Sequence, residues 1–244
     1  HDGFEKGKYT GKIYIQQMDL IRRVVIFLGI TIIAIAVTYF VAFNDFEKET
    51  LPILSPRDIN PELVDSSLHN RGIGTEGIYH QISSFNLVDQ HGIEVSENVI
   101  ENKVVVVDFF FVSCGSICPI MTKNLKRVHD VYKKNHNLLI ISHTVWPEMD
   151  SVSVLNNYAN EHDANYETWR FLTGDKKELY RLARKDYMVV PAINDPNYQH
   201  GSEADFIHTE NVVLIDKKKR IRGYYDGTDE NAMKKLVSDI GKLL

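Results

Sequence analysis

The chain has 244 residues, 43% of them apolar and 25% charged, which leaves room for one full globular domain with accessory segments. Its formal net charge of -5 is spread along the sequence, so the basic surface expected of a nucleic-acid-binding protein is missing. The short basic run at residues 217–220 lies between two apolar runs, and we interpret it as a solvated hairpin turn.

Residues 24–43 form an uncharged apolar stretch, VVIFLGITIIAIAVTYFVAF, which is long enough to cross a membrane as a helix. The basic residues precede this stretch (Lys6, Lys8, Lys12, Arg22 and Arg23), and acidic residues follow it (Asp45, Glu47 and Glu49). The positive-inside rule therefore places residues 1–23 in the cytoplasm and the rest of the chain outside it. We expect a single-pass protein of the cell (inner) membrane whose globular domain is extracytoplasmic, in the periplasm of a cell that has one.

Two alternatives to a membrane anchor remain for this stretch. A cleavable signal peptide is one, but no small-x-small cleavage site precedes Asn44, and the polar region before the stretch is long. A buried core helix is the other, although such helices rarely lack polar positions over this length.

Residues 44–79 contain several prolines and glycines and show little apolar periodicity, which predicts a tether with one short helix near residues 61–68. The globular domain is expected to cover residues 80–244. Its apolar patterns predict a hairpin at 85–95, a buried strand at 104–112, a helix at 119–134, a strand at 138–144, a helix at 151–162, a short strand at 171–173 with a helix to residue 184, a hairpin at 211–225 and a final helix from residue 228. This order is that of an α/β, thioredoxin-like fold, in which helices flank a central mixed sheet.

Two acidic residues interrupt these patterns. Asp108 lies inside the apolar strand at 104–112, and we interpret it as a paired structural group. Asp150 lies just before the helix at 151–162, and we interpret it as the N-cap of that helix.

Two cysteines, Cys114 and Cys118, follow the buried strand at the start of the next helix. Free backbone N–H groups and the helix dipole stabilise a thiolate there, so one thiol should ionise at a lower pH than an ordinary cysteine. Because the two residues are four apart, both sulfurs can face one side and supply half of a site for Cu(I) or Zn. A disulfide with no further role is the alternative, and in an oxidising compartment we expect a reversible disulfide when no metal is bound.

The segment DFFFVSCGSICPIM at residues 108–121, the late histidine in DFIHT at 205–209 and the following strand with IRGYYDG together resemble the SCO/SenC family of copper proteins. The resemblance covers roughly residue 83 to the C-terminus. It implies that Cys114, Cys118 and His208 bind copper, as Cu(I) or Cu(II), on a thioredoxin-like fold.

The resemblance also implies a role as a metallochaperone that assists assembly of the copper centre of cytochrome c oxidase. Its partner would be the copper-bearing subunit of that oxidase or another copper or thiol protein. Two positions depart from the family pattern: Ile207 stands where an acidic residue is frequent, and Trp146 takes the place of Asp in a Ser-Val-Asp-Pro segment.

The alternative function is an extracytoplasmic thiol–disulfide oxidoreductase in which Cys114 and Cys118 form the catalytic redox pair without a metal. Such a protein has no need of His208, and the proline usual near that place in thioredoxin-type reductases is missing after Pro196. The remaining histidines include two rival ligands. His143 ends a predicted strand at the same edge of the sheet, where a strand-end polar residue is the simpler interpretation, and His200 precedes His208 in the same loop. His129, His136 and His162 are expected on the surface.

Overall fold

The computed structural model describes residues 18, 20–39, 51–59, 63, 79–190 and 207–244. The chain separates into two compact units, His1–Glu49 and Thr50–Leu244. The first contains helix α1, Leu20–Tyr39, which is long and apolar enough to cross a membrane by length and composition. Its apolar side chains are exposed, with Phe27 71% exposed, so the buried core helix is not supported.

Helix α1 begins at Leu20, whereas the sequence predicted a span from Val24. The prediction was limited to uncharged residues, but Arg22 and Arg23 are good helix formers and continue the backbone hydrogen bonding towards the N-terminus. Residues 40–43 of the predicted span lie outside the described residues.

The second unit is built on one mixed sheet of seven strands in the order β2-β1-β5-β4-β3-β6-β7. Strand β3 pairs in parallel with β4, and β4 with β5, while the other pairs are antiparallel. The strands are β1 (Asn86–Asp89), β2 (Glu94–Ser96), β3 (Val104–Phe110), β4 (Leu138–Thr144), β5 (Trp169–Thr173), β6 (Asn211–Ile215) and β7 (Ile221–Asp226).

Helices cover both faces of this sheet. They are α2 (Ile117–Tyr132), α3 (Val152–Glu161), α4 (Lys176–Arg181) and α5 (Glu230–Leu243), with 3-10 turns at Pro56–Asp58 and Glu97–Ile100 and a π-helical turn at Leu182–Asp186. Alternate residues of β3 enter two hydrophobic clusters: Val106 and Phe110 pack with α2, α3 and α5, whereas Val107 and Phe109 pack with α4. The predicted thioredoxin-like α/β fold is confirmed.

Helix α2, which follows Cys114 and contains Cys118, begins at Ile117, two residues before the predicted start at Pro119. A proline is tolerated in the first turn of a helix, because the backbone N–H that it lacks has no partner there. Cys118 therefore lies inside α2, while Cys114 lies in the turn between β3 and α2.

Residues 51–59 belong to the second unit and pack on its edge strand β7, although the sequence placed them in the tether. The Leu54 N–H donates to the Ile221 carbonyl at 2.9 Å, and the Arg222 guanidinium donates to the Pro52 carbonyl at 2.8 Å. Ile59 is buried in the hydrophobic core. The edge strand β7 supplies these partners, which a proline-rich segment without periodicity does not reveal. Apart from Leu63 and Tyr79, the rest of the predicted tether after residue 59 lies outside the described residues.

The basic run at residues 217–220 forms the turn between β6 and β7, as predicted. The Asp216 carboxylate accepts the backbone N–H groups of Lys218 at 2.9 Å and Arg220 at 3.1 Å, which closes the turn.

Three segments of the chain meet at one end of the sheet. Phe110 and Thr144 end the parallel strands β3 and β4 and are paired with each other. Strand β6 runs antiparallel to β3, so its first residue, Asn211, lies at the same end. The sheet therefore brings the turn with the cysteines, the loop after Thr144 and the segment with His208 to one edge.

Candidate metal and thiol site

Cys114 and Cys118 are both free thiols and are 6% and 4% exposed. The Cys114 N–H donates to the Phe111 carbonyl at 3.2 Å, which closes the turn after β3. The Cys114 Sγ lies 3.5 Å from the Ser116 Oγ. Ser116 is the N-cap residue of α2, yet its side chain makes no capping hydrogen bond. Its hydroxyl is directed at the sulfur.

The two thiols ionise differently. Burial by itself would raise the pKa of Cys114, but hydrogen bonds from the Ser116 side chain and backbone and from Cys118 favour its thiolate and lower the pKa to about 7. Burial and the hydrogen bond with Cys114 raise the pKa of Cys118 well above its usual range. Cys114 is thus the more reactive nucleophile, as expected for one thiol of the pair, and Cys118 holds its proton.

A buried polar group lies beneath the thiols on the same face of the sheet. The Ser142 hydroxyl donates to the Asp108 carboxylate at 2.5 Å and accepts from the Trp169 indole N–H at 3.0 Å. Burial raises the pKa of Asp108 to about 7, and its charge in turn helps to raise the pKa of Cys118. The interpretation of Asp108 as a paired structural group is confirmed, and its carboxyl also acts on Cys118.

His208 is exposed and precedes β6 at the same end of the sheet. Its ring centroid lies 6.1 Å from that of Phe111, and the Trp146 ring lies 5.9 Å from Phe111, both edge-on. Within the described residues, no three His, Cys, Asp or Glu side chains lie close enough to hold a metal ion. The structure brings the two cysteines together and leaves His208 beside Phe111, so its role as a ligand stays a prediction.

His143 belongs to the opposite face of the sheet. It is fully buried, and its ring stacks on Phe109 at 5.1 Å and lies 5.6 Å from Tyr187. In the part of the chain that the structure describes, neither ring nitrogen has a hydrogen-bond partner. Burial lowers the pKa of His143 to about 3, so the ring is neutral. The rival ligand does not lie with the cysteines.

His129 was predicted on the surface, but it lies on the buried face of α2, and its Nε2 accepts the Asn165 N–H at 3.3 Å. The sequence around His129 does not indicate this partner, because Asn165 lies 36 positions further along the chain. His200 lies outside the described residues.

The interpretation of Asp150 as a helix cap is wrong. Ser151 caps α3, and its hydroxyl accepts the Val154 N–H at 3.4 Å. The Asp150 carboxylate instead accepts the Thr144 hydroxyl at 2.5 Å and the Val112 N–H at 3.2 Å. Asp150 also matches an acidic position of the SCO/SenC pattern, but the sequence favoured the cap because its partner Val112 lies 38 positions away. Ser116 was not identified from the sequence, although its partner Cys114 is only two positions away.

The fold and the site define a class of protein: a thioredoxin-like domain with a buried pair of thiols at the start of a helix. The model of one family, SCO1/SenC, matches residues 75–244. This match covers more than half of the chain, and the chain belongs to the SCO1/SenC family.

Individual relatives agree with this assignment. A SCO1 protein homolog of Bacillus subtilis is 26% identical over 163 residues, which cover 66% of this chain and 81% of the homolog. The structure of BsSco, a member of the Sco family of cytochrome c oxidase assembly proteins with a disulfide switch, is 25% identical, with a TM-score of 0.56 over 67% of this chain and 93% of BsSco. The structure of Bradyrhizobium japonicum ScoI with copper bound shares the fold at 22% identity, with a TM-score of 0.53 over 67% of this chain and 99% of ScoI.

Proposed function

We propose that this protein is a membrane-anchored, copper-binding metallochaperone that assists assembly of the copper centre of cytochrome c oxidase. The observation that carries the proposal is the pair of free, buried thiols at the start of α2, one of which favours the thiolate near neutral pH. Membership of the SCO1/SenC family and the copper-bound ScoI structure support it. The partner in this proposal is the copper-bearing subunit of the oxidase.

Cys114, Cys118 and His208 are the proposed ligands. Two soft thiolates suit Cu(I), and an added imidazole nitrogen suits Cu(II), which prefers a larger set of nitrogen and oxygen ligands. His208 is exposed, and its ring centroid lies 6.1 Å from that of Phe111. Within the described residues these three side chains do not form a group that could hold a metal ion, so ligation by all three requires His208 to approach the thiols.

Copper binding by the full-length chain in detergent tests this set of ligands. We expect one copper ion per chain, with the charge-transfer absorption of thiolate–Cu(II), and its loss when both cysteines are replaced by serine. His208→Ala should weaken binding of Cu(II) more than binding of Cu(I), because the thiolates remain. His143→Ala, on the apolar face, is the matched control and should change neither. If His143→Ala weakened binding and His208→Ala did not, the assignment of the third ligand would be wrong.

A second candidate is an extracytoplasmic thiol–disulfide oxidoreductase. The observation that favours it is the unequal ionisation of the two thiols, since a reductase needs one reactive thiol and one that resolves the mixed disulfide. The disulfide switch described for BsSco is consistent with such chemistry in the family. In the metal-free chain we expect a reversible disulfide between Cys114 and Cys118. If copper does not bind but the disulfide exchanges with a partner, this candidate takes first place.

The anchor and its orientation belong to the same proposal. The apolar helix α1, with basic residues before it and in its first turn and acidic residues after it in the sequence, supports a single span with the domain outside the cytoplasm. A reporter that is active only in the cytoplasm, fused after Leu244, should remain silent. A strong signal would reverse the orientation and place the thiols in a reducing compartment.

A further inference from the structure

The loop after β4 is closed by one buried carboxylate. Asp150 is 1% exposed, its backbone N–H donates to the Trp146 carbonyl at 2.9 Å, and its side chain accepts the Thr144 hydroxyl. The Thr144 Oγ1 in turn accepts the Trp146 N–H at 2.9 Å. Asp150 thereby fixes both ends of the loop and the backbone that carries Trp146.

The same carboxylate reaches the turn that carries the cysteines. Strands β3 and β4 are still joined where the Val145 N–H donates to the Phe110 carbonyl at 2.8 Å. Beyond that point the Val112 N–H, two residues before Cys114, donates to the Asp150 Oδ2 at 3.2 Å. Past the end of the sheet, the Asp150 carboxylate therefore connects the two segments that follow β3 and β4.

A requirement of the helix does not explain this arrangement, because Ser151 already caps α3. A buried carboxylate costs free energy unless hydrogen bonds compensate for its lost hydration. Burial does raise the pKa of Asp150, against hydrogen bonds from Thr144 and Val112 that lower it. Within the described residues, the Asp150 carboxylate accepts its hydrogen bonds from Val112 and Thr144, in the two segments beside the thiols.

Phe111 links those two loops. Its carbonyl accepts the Cys114 N–H, and a hydrogen bond from its backbone favours the thiolate of Cys118. Its ring meets the rings of Trp146 and His208 edge-on, with centroid distances of 5.9 and 6.1 Å. Asp150 holds the neighbour of Phe111 in the sequence, Val112, and through Thr144 it holds the backbone of Trp146.

We propose that Asp150 is a positioning residue for the thiol site. It holds the turn of Cys114 and the loop of Trp146 in fixed positions relative to each other, and so maintains the contact between Trp146 and Phe111. The inference rests on the proposed function only in that the thiols are the working groups. Asp150 acts through position, by the hydrogen bonds that its carboxylate accepts from the Val112 N–H and the Thr144 hydroxyl. A displaced turn weakens the hydrogen bonds from Ser116 that stabilise the Cys114 thiolate.

The test follows alkylation of Cys114 by iodoacetamide against pH in the reduced, full-length chain, read by peptide mass mapping. The midpoint for the unmodified sequence should lie near pH 7. Asp150→Ala should move it upwards by roughly half a pH unit or more, so that alkylation at neutral pH slows by about three-fold or more. Ser151→Ala is the matched control: it removes the cap of the same helix and should leave the midpoint unchanged. Equal midpoints in the two variants would overturn the proposal.

A second pair of variants applies if Asp150→Ala does not fold. Thr144→Val removes the hydroxyl that joins Asp150 to Trp146 and should also raise the midpoint of Cys114 alkylation. Thr144→Ser keeps the hydroxyl and should have the midpoint of the unmodified sequence. Identical midpoints for these two would also overturn the proposal.

The alkylation test needs no copper, so it separates this role from the proposed function. A chain that shows the expected shifts but binds no copper would disprove the metallochaperone and leave the role of Asp150 standing. A chain that binds copper but shows no shift would do the opposite.

Discussion

The two faces of the sheet differ at the end where β3 and β4 finish. On one face, Asp108 and Ser142 form a hydrogen-bonded pair below the thiols. On the other face, the next residues of the same strands, Phe109 and His143, stack on each other in an apolar layer. A shift of one residue along a strand thus changes a reactive, polar environment into an inert one, because successive side chains point to opposite faces.

The largest expected effect concerns the carboxyl on the thiol face. Burial raises the pKa of Asp108 from 3.8 to about 7. Between these values the folded protein keeps a proton that the unfolded chain has lost, so stability falls as the pH rises. The slope is up to about 1.4 kcal/mol per pH unit. The stabilising effect of this proton is fully present below pH 3.8 and has been lost above about pH 7.

Asp108→Asn is neutral at every pH and should remove this slope, so that the variant is the more stable protein above about pH 7. Urea denaturation at several pH values across this window measures the difference. Asp130→Asn, on the exposed side of α2, is the control and should keep the slope. An unchanged slope in Asp108→Asn would mean that the pH dependence of stability does not come from the buried carboxyl of the thiol face.

The second effect concerns the ionisation of the Cys114 thiol. Burial opposes ionisation of Cys114, and the Ser116 side chain makes the largest contribution among the hydrogen bonds that favour it. Ser116→Ala should raise the pKa of Cys114 by about one unit, which is a ten-fold loss of thiolate at equal pH. The absorbance of the thiolate against pH measures the shift. Ser113→Ala, an exposed serine just before Cys114, should leave the pKa where it is, and a shift of the same size there would contradict the assignment.

The smallest effect is expected on the apolar face. His143 is neutral, and within the described residues its ring nitrogens have no hydrogen-bond partner. His143→Leu removes two unsatisfied polar atoms, so the free energy of unfolding should rise or stay within about 1 kcal/mol of its original value. The midpoint of Cys114 alkylation should not change. A marked loss of stability, measured by thermal or urea unfolding, would show that His143 has a polar role on this face.

Most elements of the second unit could be predicted from the sequence. Strand β4 has the predicted bounds, and the observed ends of β3 and α2 differ from the predicted ones by only two residues. The buried runs of β3 and β4 and the helical spacing of α2 are strong local patterns, which the periodicities of strand and helix produce directly. The pair Cys114 and Cys118 could be predicted for the same reason, because its position depends on a strand end and a helix start that adjoin it in the sequence.

The tertiary structure alone decided which groups surround that pair. The hydrogen bond from Val112 to Asp150 joins residues 38 positions apart, and the one from Arg222 to Pro52 joins residues 170 positions apart. Local periodicity reports the burial of a residue but not the identity of a distant partner, which depends on how the strands are ordered in the sheet. For this reason the sequence by itself determined the fold and the thiols, while the role of Asp150, the burial of His129 and the packing of residues 51–59 on β7 became visible only in the folded chain.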